Sequence, residues 1–492
     1  MSQDVFVLQA NDQVSETSEN SLVDTALVVD LDGTLVRSDL LYESFFATLP
    51  NGFKHNCSVI AALFRGKANL KAYLAGVADL DYALLPYNAA VVELIRKAKD
   101  DGRRVYLATA SDRHHAERIA EHLGQFDGIF ASDGETNLSG EAKARQLIEK
   151  LGDGQFDYVG NEDRDVAIWA HARKAYVVTN SSALMRKVER LGIAVECIDD
   201  SQPSLRAWFK ALRVHQYVKN ILVFIALLTA HAYAAHFVLN AFLAFAAFSL
   251  CASSVYLLND LVDLDADRRH PTKHKRPFAF GTIPLAHGVI VIPLLLILSF
   301  GCAVAVSLAL TGALAAYFAL TLAYSLSLKR KLIVDVVVLA MLYTTRVIAG
   351  AVALPVVPSE WLLAFSMFVF TSLALVKRYV ELAVRIDKEL PDPGNRNYRL
   401  ADLPIIGALA AASGLNAVTI FALDISSSTV RELYRHPEIL WLICPVLLYW
   451  LARVAVLAHR RAIDDDPIIF ALYDRNSRIC GILMVLIVLI AS

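Results

Sequence analysis

Two stretches of this chain carry residues whose types and spacing can do chemistry. The first, Asn259 to Gly281, reads NDLVDLDADRRHPTKHKRPFAFG and directly follows an apolar run. At roughly 100° per residue, Asn259, Asp260, Asp263 and Asp267 fall on one helical face, and only Asp265 points elsewhere. Carboxylate and amide oxygens are hard ligands suited to Mg²⁺, which takes one or two protein carboxylates and fills its other positions with water and phosphate oxygens. Arg268, Arg269, His270, Lys273, Lys275 and Arg276 follow at once, cations able to neutralise phosphate charge. Acids followed by bases at a membrane edge predict diphosphate chemistry. A solvated connector is the plainer reading, but ionisable residues at a membrane boundary need a reason. The second stretch is Ala26 to Val29, an apolar run leading into Asp30-Leu31-Asp32-Gly33-Thr34. A buried strand of this kind delivers two carboxylates to its C-terminal edge, where α/β sheets hold ligands.

The elements that must position these residues differ in kind. The chain has 492 residues, of which 56% are hydrophobic, and that excess begins near residue 219. Residues 1–24 are polar and predict a disordered N-terminus. Strand and helix patterns alternate over 25–200, which predicts an α/β domain with a parallel sheet between helices. Residues 201–219 mix Leu205, Trp208, Phe209, Leu212 and Val218 with Arg206, Lys210, Arg213 and Lys219, an amphipathic basic junction helix suited to the headgroup layer. From 220 to 492 apolar runs predict about nine spans, near 220–236, 238–258, 284–305, 308–326, 332–354, 361–378, 403–423, 437–457 and 478–491. Loops after even-numbered spans hold nearly all the Lys and Arg, so the positive-inside rule places them, and the N-terminal domain, on the cytoplasmic side of the cytoplasmic (inner) membrane. No signal-peptide pattern stands at the N-terminus. The six cysteines are scattered without a CxxC, the net charge is −2, and the basic residues recur at span ends, so neither a zinc site nor nucleic-acid binding is indicated.

The N-terminal domain resembles the haloacid dehalogenase-like phosphohydrolases (Rossmannoid fold), whose DxDGT signature is matched by Asp30 to Thr34. Further pieces arrive in order: a second strand ending at Thr109-Ala-Ser111, Lys143 in LSGEAKARQL, and a third strand leading into Gly160-Asn161 and Asp165. The resemblance implies that Asp30 is the nucleophile forming an aspartyl-phosphate and Asp32 the general acid/base. It implies that Thr109 and Lys143 hold the phosphoryl group, with Asp30, Asp32, Asn161 and Asp165 as the oxygen set for Mg²⁺ and a small helical cap over about 39–100. Asn161 stands where the pattern usually has Asp, which weakens the grip on the metal.

A further constellation runs from Tyr324 through Lys329 to Asp335, with Arg346 three turns on and so on the same helical face. Asp335 lies just inside an apolar span, where it needs a cation or a metal; an internal ion pair between helices is the plainer account. The region from 205 to the C-terminus resembles the UbiA prenyltransferase superfamily, all-α membrane enzymes of nine helices with two Asp motifs for Mg²⁺ and a diphosphate. Asn259, Asp260, Asp263 and Asp267 match the first motif. The second usually has two acids four apart, but Asp335 is followed by Leu339. The His270-Pro-x-Lys273-x-x-Arg276-Pro continuation, Lys377-Arg378-Tyr-x-Glu381 and the late ALYDR at 471–475 resemble its polyprenyl-phosphate (decaprenyl-phosphate) phosphoribosyltransferase branch. That branch implies phosphoribosyl pyrophosphate as donor and a polyprenyl phosphate as acceptor, among membrane lipids. Mg²⁺ would then sit on Asn259, Asp260, Asp263, Asp267 and Asp335, with Asp263 and Asp267 counted as catalytic. Lys219, Lys273, Arg276, Lys329, Arg346, Lys377 and Arg378 would bind phosphate. Two alternatives stand beside this: prenyl transfer from a prenyl diphosphate to an aromatic acceptor, and a transporter or scaffold with a non-catalytic sensor domain.

Overall fold

The computed structural model describes residues 25–48, 73–74, 76–132, 138–198, 204–393, 396–463 and 466–492. The expectation for residues 1–24, and those parts of the cap and the junction that fall on 49–72, 75 and 201–203, lie outside the described residues. The backbone divides into two compact units, residues 1–212 with 257–290 and residues 213–256 with 291–492.

The first unit is built on a six-stranded, all-parallel sheet in the order β3-β2-β1-β4-β5-β6. Its strands are β1 (Ala26–Val29), β2 (Val105–Asp112), β3 (Gly128–Ser132), β4 (Phe156–Gly160), β5 (Lys174–Val178) and β6 (Ala194–Ile198). β1 is apolar throughout because both its faces are covered. Leu27 and Val29 pack on one face with Ile95 and Ile119, whereas Val28 packs on the other with Leu147 and Trp169. β1 pairs with β2 and with β4, Val29 lying opposite Leu107 and Val159. Strand order reverses at β1 and β4, the place where such sheets hold ligands beyond their C-terminal ends. Asp30 and Asn161 follow those two strands.

Residues 257–290 belong to the same unit. Arg268 donates to both carboxylate oxygens of Glu43, at 3.0 and 2.6 Å, on helix Leu40–Thr48. Both partners are buried. Gly281, at φ 77°, packs so closely on Arg37 and Pro86 that a Cβ there would meet their side chains at about 3 Å. Its left-handed backbone favours glycine on the same ground.

The second unit is helical. Seven helices in the described chain are long and apolar enough to cross a membrane: Ala235–Val262, Leu285–Val306, Leu308–Leu326, Val334–Ala353, Glu360–Asp387, Leu400–Ile425 and Pro437–His459. The count reaches eight if Leu205–Ala211 and Val214–Thr229 form one broken span. Two of the nine expected spans differ. The first, near 220–236, is a 3₁₀ stretch Val214–Phe224 and a short helix Ile225–Thr229, bounded by left-handed backbone at Arg213 and His231. The last, Arg475–Ala491, has 17 residues, a length of about 25 Å against the roughly 30 Å of a bilayer core. The 3₁₀ stretch comes so close to helix Val334–Ala353 that a Cβ on Gly350 would collide with the Val223 carbonyl.

Candidate active sites

The turn after β1 exposes Asp30 and Asp32 in opposite ways. Gly33 adopts φ 74° with Asn161 packed where its Cβ would stand, so the loop folds tightly beside the end of β4. Lys143 Nζ donates to Asp30 Oδ1 at 2.6 Å and also reaches the Ala108 carbonyl and the Tyr158 hydroxyl, at 3.2 and 3.1 Å. Tyr158 in turn donates to Asp165 Oδ1 at 3.0 Å, and the amides of Asn161 and Glu162 hold Asp165 Oδ2, each at 3.0 Å. Asp32 Oδ2 accepts from Ser111 Oγ at 2.6 Å and from Thr109 Oγ1 at 3.4 Å, and its Oδ1 accepts from the Leu40 amide at 2.8 Å. A cavity of about 150 Å³ opens on Asp30, Asp32, Ser111, Lys143 and Asp165.

Burial pushes the Asp30 carboxyl up to about 7, against the pull of Lys143 and with a further push from Asp165. Burial would lower the Lys143 ammonium, but Asp30 and Asp165 outweigh it and raise its pKa. The result is a pocket in which the acids outnumber the two cations that line it, Lys143 and Arg164.

Of the expected metal ligands, Asp30, Asp32 and Asp165 line this cavity, and Asn161 shares the Thr34 hydroxyl with Asp30. Both oxygens of Asp32 and of Asp165 accept protein donors. Asp30 Oδ2 and Asn161 Oδ1 both lie within reach of Thr34 Oγ1, at 3.4 and 3.1 Å. That pair of hard oxygens fits Mg²⁺, which asks for few side-chain ligands. Among the described residues no group of three or more His, Cys, Asp or Glu is arranged to hold a metal. Ser111 and Tyr158 orient the aspartates and were not singled out from the sequence. Ser111 lies near the end of β2 and Tyr158 in the middle of β4.

The acidic segment is nearly, but not wholly, one helix. Ala235–Val262 gives way at Asp263 to Leu264–Arg269, although the Asp263 and Asp267 amides still bond to the carbonyls four residues back. Arg276 Nη1 sits between Asp260 and Asp267, at 3.0 and 2.6 Å, so this expected phosphate ligand is engaged by the acids in this structure. Burial raises the Asp267 carboxyl despite Arg276, and Asp260 adds to the rise. Asp263 lines a cavity of about 190 Å³ with Asp265 and Glu43. Arg268, read from the sequence as a phosphate counter-charge, is instead the partner of Glu43. Lys273 stands half-buried in the short turn Lys273–Lys275.

In the helical unit the expected residues divide into three groups. Asp335 is fully buried; Tyr398 Oη donates to its Oδ1 at 2.6 Å, and Arg378 Nε stands 2.9 Å from its Oδ2. Arg378 also pairs with Glu381, which Arg396 reaches at 3.2 Å. Asp335 is thus the ionic tie between helices, and its partner is Arg378, not Arg346. In this structure the residue expected in the metal set pairs with a protein cation and a hydroxyl. Leu339, where the second acid was missing, packs against the apolar core. The second group is Arg346, whose guanidinium donates to Asn220 Oδ1 at 2.7 Å, the Leu342 carbonyl at 2.5 Å and the Tyr317 hydroxyl at 2.9 Å. Among the described residues no carboxylate lies within ion-pair distance of it. The third is Lys219 and Lys377, which converge on one oxygen of Asp466. Lys329 lies half-buried in the turn Leu328–Arg330, and Lys219 and Arg346 both lie over the Tyr343 ring.

Comparison with known proteins places these sites in families. The profile of the UbiA prenyltransferase family matches residues 220–473, and that of haloacid dehalogenase-like hydrolases matches residues 27–167. The uncharacterized protein y4nM of Sinorhizobium fredii is 36% identical over 462 residues, covering 93% of this chain and 89% of that protein. The nodulation protein NoeC of Azorhizobium caulinodans is 35% identical over 273 residues, 55% of this chain and 88% of that protein. Decaprenyl-phosphate phosphoribosyltransferase of Mycobacterium tuberculosis is 39% identical over 180 residues, 35% of this chain and 59% of that enzyme. The chain therefore belongs to the UbiA prenyltransferase family, as a multi-pass membrane protein with an N-terminal haloacid dehalogenase-like domain.

Proposed function

We propose that this protein transfers 5-phosphoribose from phosphoribosyl pyrophosphate to a polyprenyl phosphate, and that its N-terminal domain removes the 5-phosphate from the product. The observation that carries the reading is Arg346, a cation buried among neutral acceptors within an apolar helix. A charge so placed calls for an anion from outside the chain. The similarity to decaprenyl-phosphate phosphoribosyltransferase over part of its length supports a donor and acceptor that are both phosphorylated.

In the transfer, the bond from the sugar C1 to pyrophosphate breaks, the electron pair leaves with pyrophosphate, and a lipid phosphate oxygen forms the new bond to C1. Asn259, Asp260, Asp263 and Asp267 would hold Mg²⁺, which when bound stabilises the departing pyrophosphate charge. Lys273 and, once released from the acids, Arg276 would neutralise the donor. Lys219, Lys377 and Arg346 would hold the lipid phosphate. In the hydrolytic domain Asp30 attacks phosphorus, Asp32 gives a proton to the leaving sugar oxygen, and Lys143 balances charge. Asp32 then takes a proton from the water that releases phosphate. Its hydrogen bonds from Ser111 and the Leu40 amide fix it for that work. Charged loops, both sites and soluble substrates would share the cytoplasmic face of the inner membrane.

The test is the mass of the lipid formed from a long polyprenyl phosphate, phosphoribosyl pyrophosphate and Mg²⁺ with purified protein. A ribosylated lipid is expected, and loss of its 5-phosphate reports on the hydrolytic domain. No ribosylated lipid, with transfer of a prenyl group from a prenyl diphosphate to an aromatic acceptor instead, overturns the reading.

A further inference from the structure

Lys219 lies in the 3₁₀ stretch Val214–Phe224 and Lys377 in helix Glu360–Asp387. Both reach the same atom, Asp466 Oδ2, at 2.6 and 3.1 Å. The other oxygen, Oδ1, accepts the Ile468 amide at 3.0 Å and caps helix Pro467–Tyr473. One end of this carboxylate is thus fixed to the backbone, and the other carries a negative charge into a pair of lysines. Asp466 and Lys219 are both largely buried, so the charge is poorly screened. Lys219 Nζ and Arg346 Cζ lie 5.9 and 5.2 Å from the centre of the Tyr343 ring. Lys219 and Arg346 therefore share one tyrosine, Lys377 meets Lys219 at Asp466, and among the described residues Asp466 is the carboxylate paired with these cations.

Two lysine ammoniums on a single oxygen form a seat for an anionic oxygen, and Asp466 stays beside it whatever binds. Its repulsion grows in proportion to the charge of the ligand. A phosphate monoester carries up to two negative charges, and a diphosphate carries more. Resting on the assignment of Lys219, Lys377 and Arg346 to the lipid phosphate, we infer that Asp466 is a specificity-determining residue that admits a lipid monophosphate and disfavours a lipid diphosphate. The helix cap matters to this role because it stops the carboxylate from swinging away. Asn and Ser keep an oxygen for that cap while removing the charge.

The experiment is calorimetric binding of farnesyl phosphate and farnesyl diphosphate to the detergent-solubilised full chain, in EDTA so that no metal holds the diphosphate at the acidic segment. The wild type is expected to bind the monophosphate more tightly. Asp466→Asn and Asp466→Ser are expected to tighten both ligands, the diphosphate by about tenfold more, so that the preference narrows or reverses. An unchanged preference, or weaker binding of both ligands, overturns the inference, because Asp466 would then only brace the lysines. A wild type that binds neither ligand, or prefers the diphosphate, overturns the lipid-monophosphate reading of the site as well.

Discussion

The Asp30 pocket and the Tyr343 cluster treat buried charge in opposite ways. In the pocket, Asp30, Asp32 and Asp165 are each held by named donors, with Lys143 as the buried cation. Among the described residues around Tyr343 the cations outnumber the carboxylates, and the hydrogen-bond partners of Arg346 are neutral. An acid-rich pocket is made for a cation that brings phosphate with it; a cation-rich one takes the phosphate directly. On the proposed function, one chain would thus offer two electrostatic solutions for phosphorylated substrates.

The sharpest way to break this comparison is to disable one pocket and watch the other. Asp30→Asn should lower phosphate release at least about a thousandfold while transfer stays within about twofold, leaving a lipid that keeps its 5-phosphate by mass. A parallel loss of transfer would show that the pockets are not separate. Arg346→Met should lower kcat/KM for transfer by roughly a hundredfold or more, yet leave the melting temperature unchanged or higher, because an apolar replacement removes a costly buried charge. A collapse in stability would mean that Arg346 is a strut. Glu43→Gln gives the contrasting case. It strands Arg268 without its counter-charge and should destabilise the fold by about 3–5 kcal/mol, largely restored by adding Arg268→Met. Thermal unfolding of the single and double variants measures this. Asn161→Asp should lower the Mg²⁺ concentration needed for half-maximal hydrolysis by about tenfold, since a carboxylate grips the ion more firmly than an amide.

The smallest effect is a pH slope. Asp30 titrates near 3.8 when free and about 7 in the folded, metal-free protein, so the folded state binds the proton more tightly. Stability in EDTA should therefore be greatest, as far as Asp30 contributes, below about pH 4, and should fall as pH rises toward 7. Asp30→Asn should flatten that slope in melting curves recorded across the interval, and an identical slope in both proteins would show that Asp30 is not its source.

What was legible in the sequence is what lies close together along the chain. Asp30, Asp32 and Gly33 are consecutive or nearly so, and their strand is marked by an apolar run; the acids from Asn259 to Asp267 share one helical segment. Lys143 and Asp165 were found only because a known pattern orders them. Pairings between distant residues were not legible. Arg268 finds Glu43 across 225 positions, and Asp335 finds Arg378 on the next helix, although Arg346 shares its own helical face. Asp466 was not singled out, since the last Asp of the run 464–466 before Pro467 reads as a helix cap, which it also is. Span counting near 220–236 did not foresee the break in that segment, because hydropathy does not register the left-handed backbone at Arg213 and His231.

The buried Glu43–Arg268 pair limits how freely this chain's parts can be exchanged. A transferase stripped of its N-terminal domain would retain Arg268 in a segment shaped for a partner that has gone. Any shorter descendant must change that arginine, or supply a new acid, before the acidic segment can keep its shape. The fusion is in this sense a ratchet: one bidentate contact makes the two domains easier to keep together than to separate.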